Sequence, residues 1–552
     1  MASQLYPKKV WQILNTDEKK DIVDVLLENR NLKTKKEKDD FFDPIKPEDI
    51  KLKDLEIDVS EIKKAIKRIN LAKKNNEKVF VYGDYDADGV TATAIMWEAL
   101  HKLKVDAMPY IPDRFIEGYG INKKTLARLK QENENLKVII TVDNGIVAYE
   151  AIDAAEKLGI DIIVTDHHEA EKKKNKQVCH PDKAFAIIHT KKICGSAISW
   201  IVARELGVTT GLELAGIGTI ADQMPLTAAN RSFAKYGIEA LKKTKRAGLI
   251  ELLHDAKVEM ENISTYEINY IIAPRINAMG RLVHAIEALR LLCVKDPKRA
   301  KELAKLISKT NSQRQEIVEK TVVSTQRKME NFNDSIIFLS DKNYHEGVIG
   351  LAAGRLVEEF YLPAIVVSRG REFSKGSARS IEGINIIEMI REHAEILVAH
   401  GGHTMAAGFT IKTSKIEEFQ KRLNKTAKKL LTDEILQRKL KIDSLLDFKL
   451  INWELVKKIK QFEPTGNGNP TPSFVTQTVK IIDKRLLGKD KTHLKLKLSK
   501  DSKFFDAIGF GIAKDFSNLE KGDLVDVCYN IEENEWNGVK SLQLRIRDLK
   551  QV

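Results

Sequence analysis

Short apolar runs alternate with amphipathic stretches through the first half of the chain. Residues 78–83, 137–142 and 160–164 are largely apolar and short, which is typical of strands buried on both faces of a parallel sheet. The stretch 90–103, shortly after the first run, has a helical pattern. Strands that alternate with helices from about residue 50 to 245 predict a mostly parallel, doubly wound α/β sheet.

Aspartates and histidines follow these apolar runs. The residues that come after the first, second and third runs are, in that order, Asp84, Asp86 and Asp88, then Asp143, then Asp166, His167 and His168. A further apolar segment, 216–221, leads to Asp222, which is the fourth place where an acidic residue follows an apolar run. Because the carboxyl ends of parallel strands share one edge of a sheet, where ligands bind, these side chains are expected to converge.

Each aspartate taken alone also fits an ordinary role as a helix N-cap or a turn former. Four clusters in succession favour a metal site, because converging carboxylates repel each other unless cations neutralise them. A mixed set of aspartates and histidines suits Mn²⁺ or Mg²⁺ better than a structural zinc site, which favours cysteine.

The rest of the chain divides into further units. Alternating polar and apolar positions after residue 445 predict a small barrel with a basic exterior; in 541–547, for example, every second residue is apolar. The predicted organisation is an N-terminal segment 1–45 whose docking site the sequence does not indicate, an α/β domain 46–245, a helical connector 246–333 with a long helix, a smaller α/β domain 334–432 and a β-barrel 445–552.

Composition restricts the partners and the compartment. Lys and Arg exceed Asp and Glu, for a formal net charge of +13, which favours a polyanionic partner, although lysine runs also suit an ordinary solvated surface. Four cysteines without a CxxC pair predict reduced thiols and a cytoplasmic protein, and the spacing of Cys179, His180 and His189 matches no usual zinc motif. We find no apolar signal core at residues 1–9 and no uninterrupted apolar stretch of about 18 residues, so we expect neither export nor membrane insertion.

Several motifs together resemble those of the DHH phosphoesterase superfamily. The segments that carry this resemblance are YGDYDADGV at 82–90, VDNG at 142–145, TDHH at 165–168 and IAD at 220–222. Further segments narrow it to the RecJ family of single-strand-specific exonucleases: PRINAMGRL at 274–282, YHEGVIG at 344–350, GSARS at 376–380, GGH at 401–403 and GNGNP at 466–470. The resemblance spans roughly residues 45 to 550 and implies a DHH domain, a DHH-associated domain and a C-terminal OB-fold.

The resemblance also implies a two-metal site that holds Mn²⁺ or Mg²⁺. Its ligands for one cation would be Asp88, Asp143, His167 and Asp222, while Asp86 and Asp143 would hold the second. His168 is expected to face the phosphate and assist proton transfer, or else only to orient its neighbour. Asp84 is a further candidate, because Tyr82 stands where some relatives carry a metal-binding histidine.

The substrate is expected to contact the second α/β domain and the connector. If 374–380 is extended, Ser377 and Arg379 lie on one face and can approach one phosphate together. Gly401 and Gly402 could bring backbone N–H groups to a phosphate, or could simply mark a tight turn; His403 beside them is a catalytic candidate. The remaining candidates for the groove between the domains are Arg275, Asn277 and Arg281, one of which could instead be a structural ion-pair partner.

The motifs lead to the hypothesis of a metal-dependent exonuclease that degrades single-stranded DNA from its 5′ end to 5′-mononucleotides in DNA repair and recombination. A single-strand-binding protein or a helicase would be a compatible partner. One alternative is a DHH oligoribonuclease or small-nucleotide phosphodiesterase, for which the barrel would have no use. The other is a non-catalytic nucleic-acid-binding scaffold, against which the retained Asp and His residues argue. Three departures from the family pattern, at His189–Thr190, Tyr344 and Thr465, remove none of the expected metal ligands.

Overall fold

A computed structural model describes residues 9–17, 20–171, 179–329, 332 and 334–552. Its strands are β1 (Val10–Asn15), β2 (Lys78–Tyr82), β3 (Ala107–Tyr110), β4 (Leu136–Val142), β5 (Asp161–Asp166), β6 (Ala186–His189), β7 (Ile337–Asp341), β8 (Ala364–Ser368), β9 (Phe373–Arg379), β10 (Leu397–His403), β11 (Ala406–Lys412), β12 (Lys439–Leu445), β13 (Phe474–Leu487), β14 (His493–Lys500), β15 (Lys503–Gly509), β16 (Leu524–Trp536) and β17 (Val539–Gln551).

The helices surround the sheets that these strands form. They are α1 (Ile22–Asn29), α2 (Lys35–Phe42), α3 (Val59–Lys74), α4 (Ala87–Lys102), α5 (Lys123–Glu132), α6 (Tyr149–Lys157), α7 (Gly195–Glu205), α8 (Leu212–Ala221), α9 (Ala228–Leu241), α10 (Ala247–Asp255), α11 (Thr265–Glu267), α12 (Ala273–Leu282), α13 (Ile286–Cys293), α14 (Pro297–Met329), α15 (Ile349–Phe360), α16 (Ile386–Arg391), α17 (Ile416–Leu430), α18 (Asp433–Leu436) and α19 (Trp453–Lys460). A π-helical stretch, Ile268–Ile272, joins α11 to α12.

The first sheet is parallel throughout, in the order β3-β2-β4-β5-β6. Helices cover both of its faces, so alternate residues of one strand enter different cores. Val79 and Val81 belong to the larger core, whereas Phe80 and Tyr82 belong to a second core on the opposite face. The predicted doubly wound sheet is therefore confirmed, and burial on both faces explains why its strands are apolar rather than alternating.

One apolar segment that was grouped with the strands belongs to a helix. The apolar segment 216–221 is not a strand but the end of the helix α8, which is buried almost all round. A short apolar run does not distinguish a buried strand from a buried helix, because both require apolar residues at every position. Asp222 therefore reaches the edge of the sheet from a helix C-terminus.

The connector and the second sheet follow. The long helix α14 packs on α10 and α12 and leads to a mixed sheet in the order β10-β11-β9-β8-β7, in which only β7 and β8 are parallel. Phe338, Phe409 and Phe419 form part of the core on one side of this sheet, and Leu339 and Leu356 lie in the core on the other. This is the smaller α/β domain that the sequence predicted.

A closed barrel of the five strands β13, β14, β15, β17 and β16 completes the chain, with β13 paired to β16. In β17, Leu544 and Ile546 are buried while Arg545 and Arg547 are exposed, as the alternation predicted. The N-terminal segment docks here: β1 pairs in parallel with β12, and Phe41 of α2 packs against Phe462, with ring centroids 5.6 Å apart.

All four cysteines are free thiols. Across the described ranges, no helix combines the length and the apolar character needed to cross a bilayer. The residues 1–8, on which part of the expectation about export rests, lie outside the described ranges.

Candidate active site

The candidate metal ligands lie together at the carboxyl edge of the first sheet. Their ligand atoms form three sets in which all atoms are within 4.8 Å of one another: Asp84, Asp86 and Asp143; Asp88, His167 and Asp222; and Asp143, His167 and His168. Asp143 and His167 each belong to two sets. Asp86 and Asp143 lie together with Asp84, whereas the set of Asp88, His167 and Asp222 does not include Asp143.

Backbone N–H groups hold two of the carboxylates. Asp88 accepts hydrogen bonds from the N–H groups of Gly195 at 2.7 Å and Ser196 at 3.0 Å, at the start of α7, where the helix dipole favours negative charge. A side chain on Gly218 would come within 2.4 Å of Asp88 Oδ1, so only glycine leaves room for this carboxylate. Asp86 caps α4 by accepting from the N–H of Gly89.

Other ligand atoms face each other without hydrogen bonds. His167 Nε2 lies 3.0 Å from Asp143 Oδ1 and 3.8 Å from Asp88 Oδ2, and His167 Nδ1 lies 3.8 Å from Asp222 Oδ2. Within the described part of the chain, the buried atoms Asp84 Oδ1 and Asp143 Oδ1 accept no hydrogen bond. Because a buried oxygen without a partner is costly, this arrangement calls for a further electropositive group.

The raised pKa values of the clustered carboxylates also indicate that an electropositive group belongs in this site. Burial, together with the neighbouring carboxylates, raises the pKa of Asp84 and Asp143 well above the usual range and raises that of Asp222 to about 8. Carboxylates in this state ionise readily only when cations offset their repulsion. Hard carboxylate oxygens with one or two imidazoles are donors that fit Mn²⁺ and Mg²⁺, so the residues present fit the predicted cofactors.

Asp166 was expected at this edge of the sheet but was given no role of its own. Its carboxylate accepts hydrogen bonds from His168 Nδ1 at 2.7 Å and from the N–H groups of His167, His168 and Ile146. Burial opposes protonation of His168, but the bond to Asp166 and the nearby carboxylates outweigh it and raise the pKa of His168 to about 9. Asp166 therefore orients the histidine pair. Its place as the first residue of the DHH triplet is the sequence signal from which this role could have been predicted.

A cleft of about 850 Å³ lies between the first and second sheets. Of the predicted substrate residues, Arg281, Ser377, Arg379 and Gly401 line it. Ser377 and Arg379 lie on one face of the extended strand β9. Tyr119, whose hydroxyl lies 3.3 Å from the His168 ring nitrogens, also lines the cleft and links it to the candidate metal ligands.

Three arginines converge in the cleft. Arg114, Arg281 and Arg379 all line it, and none lies within ion-pair distance of a carboxylate in the described ranges. Burial and the charges of the other two arginines lower the pKa of Arg281 to about 10. Arg114 follows β3, so the rule that ligands bind at the carboxyl edge of the sheet could have found it.

Four of the predicted residues lie outside the lining of the cleft. Arg275 donates to Ile271 O and Ser308 Oγ, between α12 and α14, and Asn277 Oδ1 accepts from Ala87 N at the start of α4. Both side chains therefore support helices. Gly402 and His403 end β10, where Gly402 has a φ of 142° and His403 is exposed. Gly402 pairs with Ala407 of β11, whose backbone leaves no room for a side chain at Gly402, and His400 on the same strand lines the cleft.

Comparison with known proteins gives the relatives of this chain. Three family models match: the DHH family N-terminal domain at 78–217, the DHHA1 domain at 333–429 and the RecJ OB domain at 442–548. The single-stranded-DNA-specific exonuclease RecJ of Haemophilus influenzae is 30% identical, over 88% of this chain and 90% of its own length. RecJ of Bacillus subtilis is 35% identical over 92% of this chain. The matched part makes up 64% of that relative, so this chain spans just under two thirds of its length.

Among solved structures, RecJ of Thermus thermophilus in complex with Mn²⁺ superposes with a TM-score of 0.82 at 25% identity, covering 98% of this chain and 79% of that one. The fold and the acidic cluster thus define a protein of the DHH class with an attached OB barrel. More narrowly, the chain belongs to the RecJ family, as the motifs indicated.

Proposed function

We propose that this chain hydrolyses single-stranded DNA from the 5′ end and releases 5′-mononucleotides, with two Mn²⁺ or Mg²⁺ ions as cofactors. The observation that carries the proposal is the arrangement of the cleft. The arginine pocket, formed by Arg114, Arg281 and Arg379, faces the cluster of carboxylates and histidines across it. The relatives named single-stranded-DNA-specific exonucleases, and the related structure in complex with Mn²⁺, support the substrate class and the cofactors.

The metal ligands and their neighbours have distinct roles in this proposal. Asp86, Asp88, Asp143, His167 and Asp222 would hold the cations, with Asp143 shared between them. Paired divalent cations, when bound, activate a water molecule and neutralise the charge that develops on the phosphate.

Two further side chains act beside this ligand set. Protonated His168, held by Asp166, carries a donor to the phosphate or the leaving oxygen. Asp84 supplies a further carboxylate to the group of Asp86 and Asp143.

The arginine pocket accounts for the polarity. A terminal 5′-phosphate carries more negative charge than an internal phosphodiester, and guanidinium groups bind it through paired hydrogen bonds. Arg114, Arg281 and Arg379 lack carboxylate partners in the part of the chain that the structure describes, and Ser377 adds a hydroxyl donor, so the pocket is ready for an anion. A strand held by its 5′-phosphate there would present the next phosphodiester to the metal ligands.

The barrel supplies a second contact with the strand. Phe510 is exposed and lies beside the His493 ring. The Arg545 guanidinium carbon lies over the Phe510 ring, 5.5 Å from the ring centroid. A second exposed ring, that of Phe504, lies near the Lys497 ammonium group. Exposed aromatic rings flanked by cations stack on bases of any sequence while the charges attract the backbone. A dinucleotide needs no such surface, so the barrel favours a long strand over a small-nucleotide substrate.

The cleft admits a strand but not a duplex in this proposal, so another activity must first separate the strands. A helicase or a single-strand-binding protein would meet that need in DNA repair and recombination. The scaffold alternative is disfavoured, because a decayed site would not keep buried carboxylates without hydrogen-bond partners at a cost in stability.

The decisive experiment is digestion of a long single strand labelled at its 5′ or its 3′ end, with and without Mn²⁺. We expect immediate release of the 5′ label as a mononucleotide, late release of the 3′ label and no release after chelation. Degradation that starts at the 3′ end would overturn the proposed polarity. Cleavage of dinucleotides alone would favour the phosphodiesterase alternative, and binding without cleavage would favour the scaffold.

A further inference from the structure

Asp222 differs from the other candidate ligands because its position depends on a helix end. It caps the C-terminus of α8, and Gln223 follows with a φ of 57°, in the left-handed region. The N–H of Gln223 donates to Ile220 O and that of Met224 to Thr219 O, which is a Schellman motif. Glycine is the usual residue at this position, so glutamine must be held there by other contacts.

No side-chain hydrogen bond orients the Asp222 carboxylate among the residues that the structure describes. Its Oδ2 atom lies 3.8 Å from His167 Nδ1, beyond hydrogen-bond distance. Asp88, in contrast, is held by two N–H groups of α7. The backbone around Gln223 therefore decides where the Asp222 carboxylate lies.

A loop of the C-terminal unit holds that backbone. This loop comprises residues 461–473, between α19 and the first barrel strand, β13. Asn467 Nδ2 donates to Gln223 O at 2.7 Å, and the N–H of Leu226 donates to Asn467 O at 2.7 Å. Gly468, with a φ of 72°, packs so closely on Pro225 that a side chain there would come within 3.0 Å of the proline ring. Asn467 thus holds the segment 223–226 at both of its ends, and this segment begins directly after Asp222.

The loop itself is rigidly attached. Asn469 Nδ2 donates to Phe462 O and Pro464 O, and Asn469 Oδ1 accepts from Arg30 Nε. Arg231 of α9, only 1% exposed, donates to the carbonyl groups of 461–464. The loop can therefore act as a fixed support for Gln223 rather than as a flexible contact.

We propose that Asn467 is a positioning residue for Asp222, through which the C-terminal unit sets the affinity of the cation site formed by Asp88, His167 and Asp222. This inference rests on the proposed two-cation function. Partners that orient a metal ligand commonly change metal affinity by about tenfold or more when they are removed. The site formed by Asp84, Asp86 and Asp143 has no contact with the loop through Gln223 and should keep its affinity.

The test uses Asn467→Ala in the full chain, because this residue is exposed and its substitution should not prevent folding. Mn²⁺ titrations without DNA, followed by the electron paramagnetic resonance of free Mn²⁺, should show one of two sites weakened about tenfold and the other unchanged. Asn135→Ala is the matched control, because Asn135 Nδ2 donates to Asn76 O at the same distance of 2.7 Å, on the surface of the first α/β domain. Its titration should equal that of the wild type.

DNA hydrolysis provides a second measurement. In Asn467→Ala, the Mn²⁺ concentration for half-maximal rate should rise about tenfold, while the rate at saturating Mn²⁺ should approach that of the wild type. Equal Mn²⁺ affinity in variant and wild type would overturn the inference, as would equal weakening of both sites with a lower melting temperature. A wild type that binds two Mn²⁺ ions but cleaves no DNA would instead refute the proposed function alone.

Discussion

Asp143 is the candidate shared ligand, because its carboxylate groups with Asp84 and Asp86 in one set and with His167 and His168 in another, and His167 also belongs to the set of Asp88 and Asp222. It is buried and has a φ of 64°, a conformation that asparagine tolerates better than alanine. Asp143→Asn should therefore keep the fold while it lowers the hydrolysis rate by at least about a hundredfold. Initial rates in Mn²⁺, with DNA affinity and circular dichroism as controls, test this. Near-normal turnover would refute the shared ligand.

Arg379 tests the pocket for the 5′ end. It lines the cleft without a carboxylate partner among the described residues, so its loss should remove a charge-assisted contact with a terminal phosphate. Arg379→Ala should reduce the preference for 5′-phosphorylated over 5′-hydroxyl ends by about tenfold or more. The ratio of initial rates on the two ends measures this.

Arg275→Ala is the control, because this arginine lies outside the cleft lining and donates to Ile271 O and Ser308 Oγ. An unchanged ratio in Arg379→Ala would remove Arg379 from the pocket. A changed ratio in Arg275→Ala would return that residue to the substrate site.

At the scale of elements, the strands of the first sheet could be predicted because burial on both faces makes them apolar. The same property misled at 216–221, since α8 is also buried all round and periodicity cannot separate the two. Asp222 was still placed among the candidate ligands, because it was recognised by its motif and not by its secondary structure. The contact of Asn467 with Gln223 could not be foreseen, because it joins residues 244 positions apart and leaves no local pattern.

The residues of the cleft were predicted less completely than the cluster of carboxylates and histidines at the edge of the first sheet. Ser377 and Arg379 followed from strand alternation, which decides the face on which side chains lie. The orientation of Arg275 on α12 depends on how α14 packs against it, which the local sequence does not encode. Arg114 belongs to a loop after β3, and its guanidinium lies over the Tyr85 ring, 5.1 Å from its centroid.

The strand β15 and the turn after it give a test of the barrel surface. Phe510 is 51% exposed and flanked by Arg545 and His493. Since stacking on one base contributes about 1–3 kcal/mol, Phe510→Ala should weaken binding to long single strands by roughly 5- to 150-fold, with little effect on short oligonucleotides. Fluorescence anisotropy with the two lengths measures this.

Leu524→Ala is the control for this variant, because Leu524 is also an exposed apolar residue of the barrel and should leave both affinities unchanged. Equal losses on long and short strands in Phe510→Ala would mean that the ring supports the barrel rather than the DNA.

At the scale of the molecule, the barrel cannot be removed without affecting the rest. Arg231 of the first domain is buried against carbonyl groups of 461–464 and against the Phe41 ring, 3.8 Å from its centroid. A chain that ends near residue 445 would leave this guanidinium without the carbonyl groups of 461–464, which is strongly destabilising for a buried charge. Point variants on the barrel surface therefore separate DNA binding from folding, whereas deletion does not.

The carboxylate cluster should also make the stability of the whole molecule depend on pH and metal together. Burial, reinforced by the nearby carboxylates, raises the pKa of Asp222 from its ordinary 3.8 to about 8, and the pKa values of Asp84, Asp86 and Asp143 are also raised. The folded state then holds more protons than the unfolded state across this interval. Without metal, stability should consequently be greatest at the acidic end and should fall as pH rises toward 8.

Cations bind the deprotonated carboxylates, so they should offset this loss most at the alkaline end of the interval. We expect the increase in melting temperature caused by Mn²⁺, relative to chelator, to grow steadily from about pH 5.5 to about pH 8. Scanning calorimetry at several pH values measures it. Asp222→Asn, which removes the group whose pKa is raised from 3.8 to about 8, should make the metal-free stability curve less steep between these two pH values. A Mn²⁺ effect of the same size at every pH would contradict the role of these carboxylates as cation ligands, because their protonation competes with the metal.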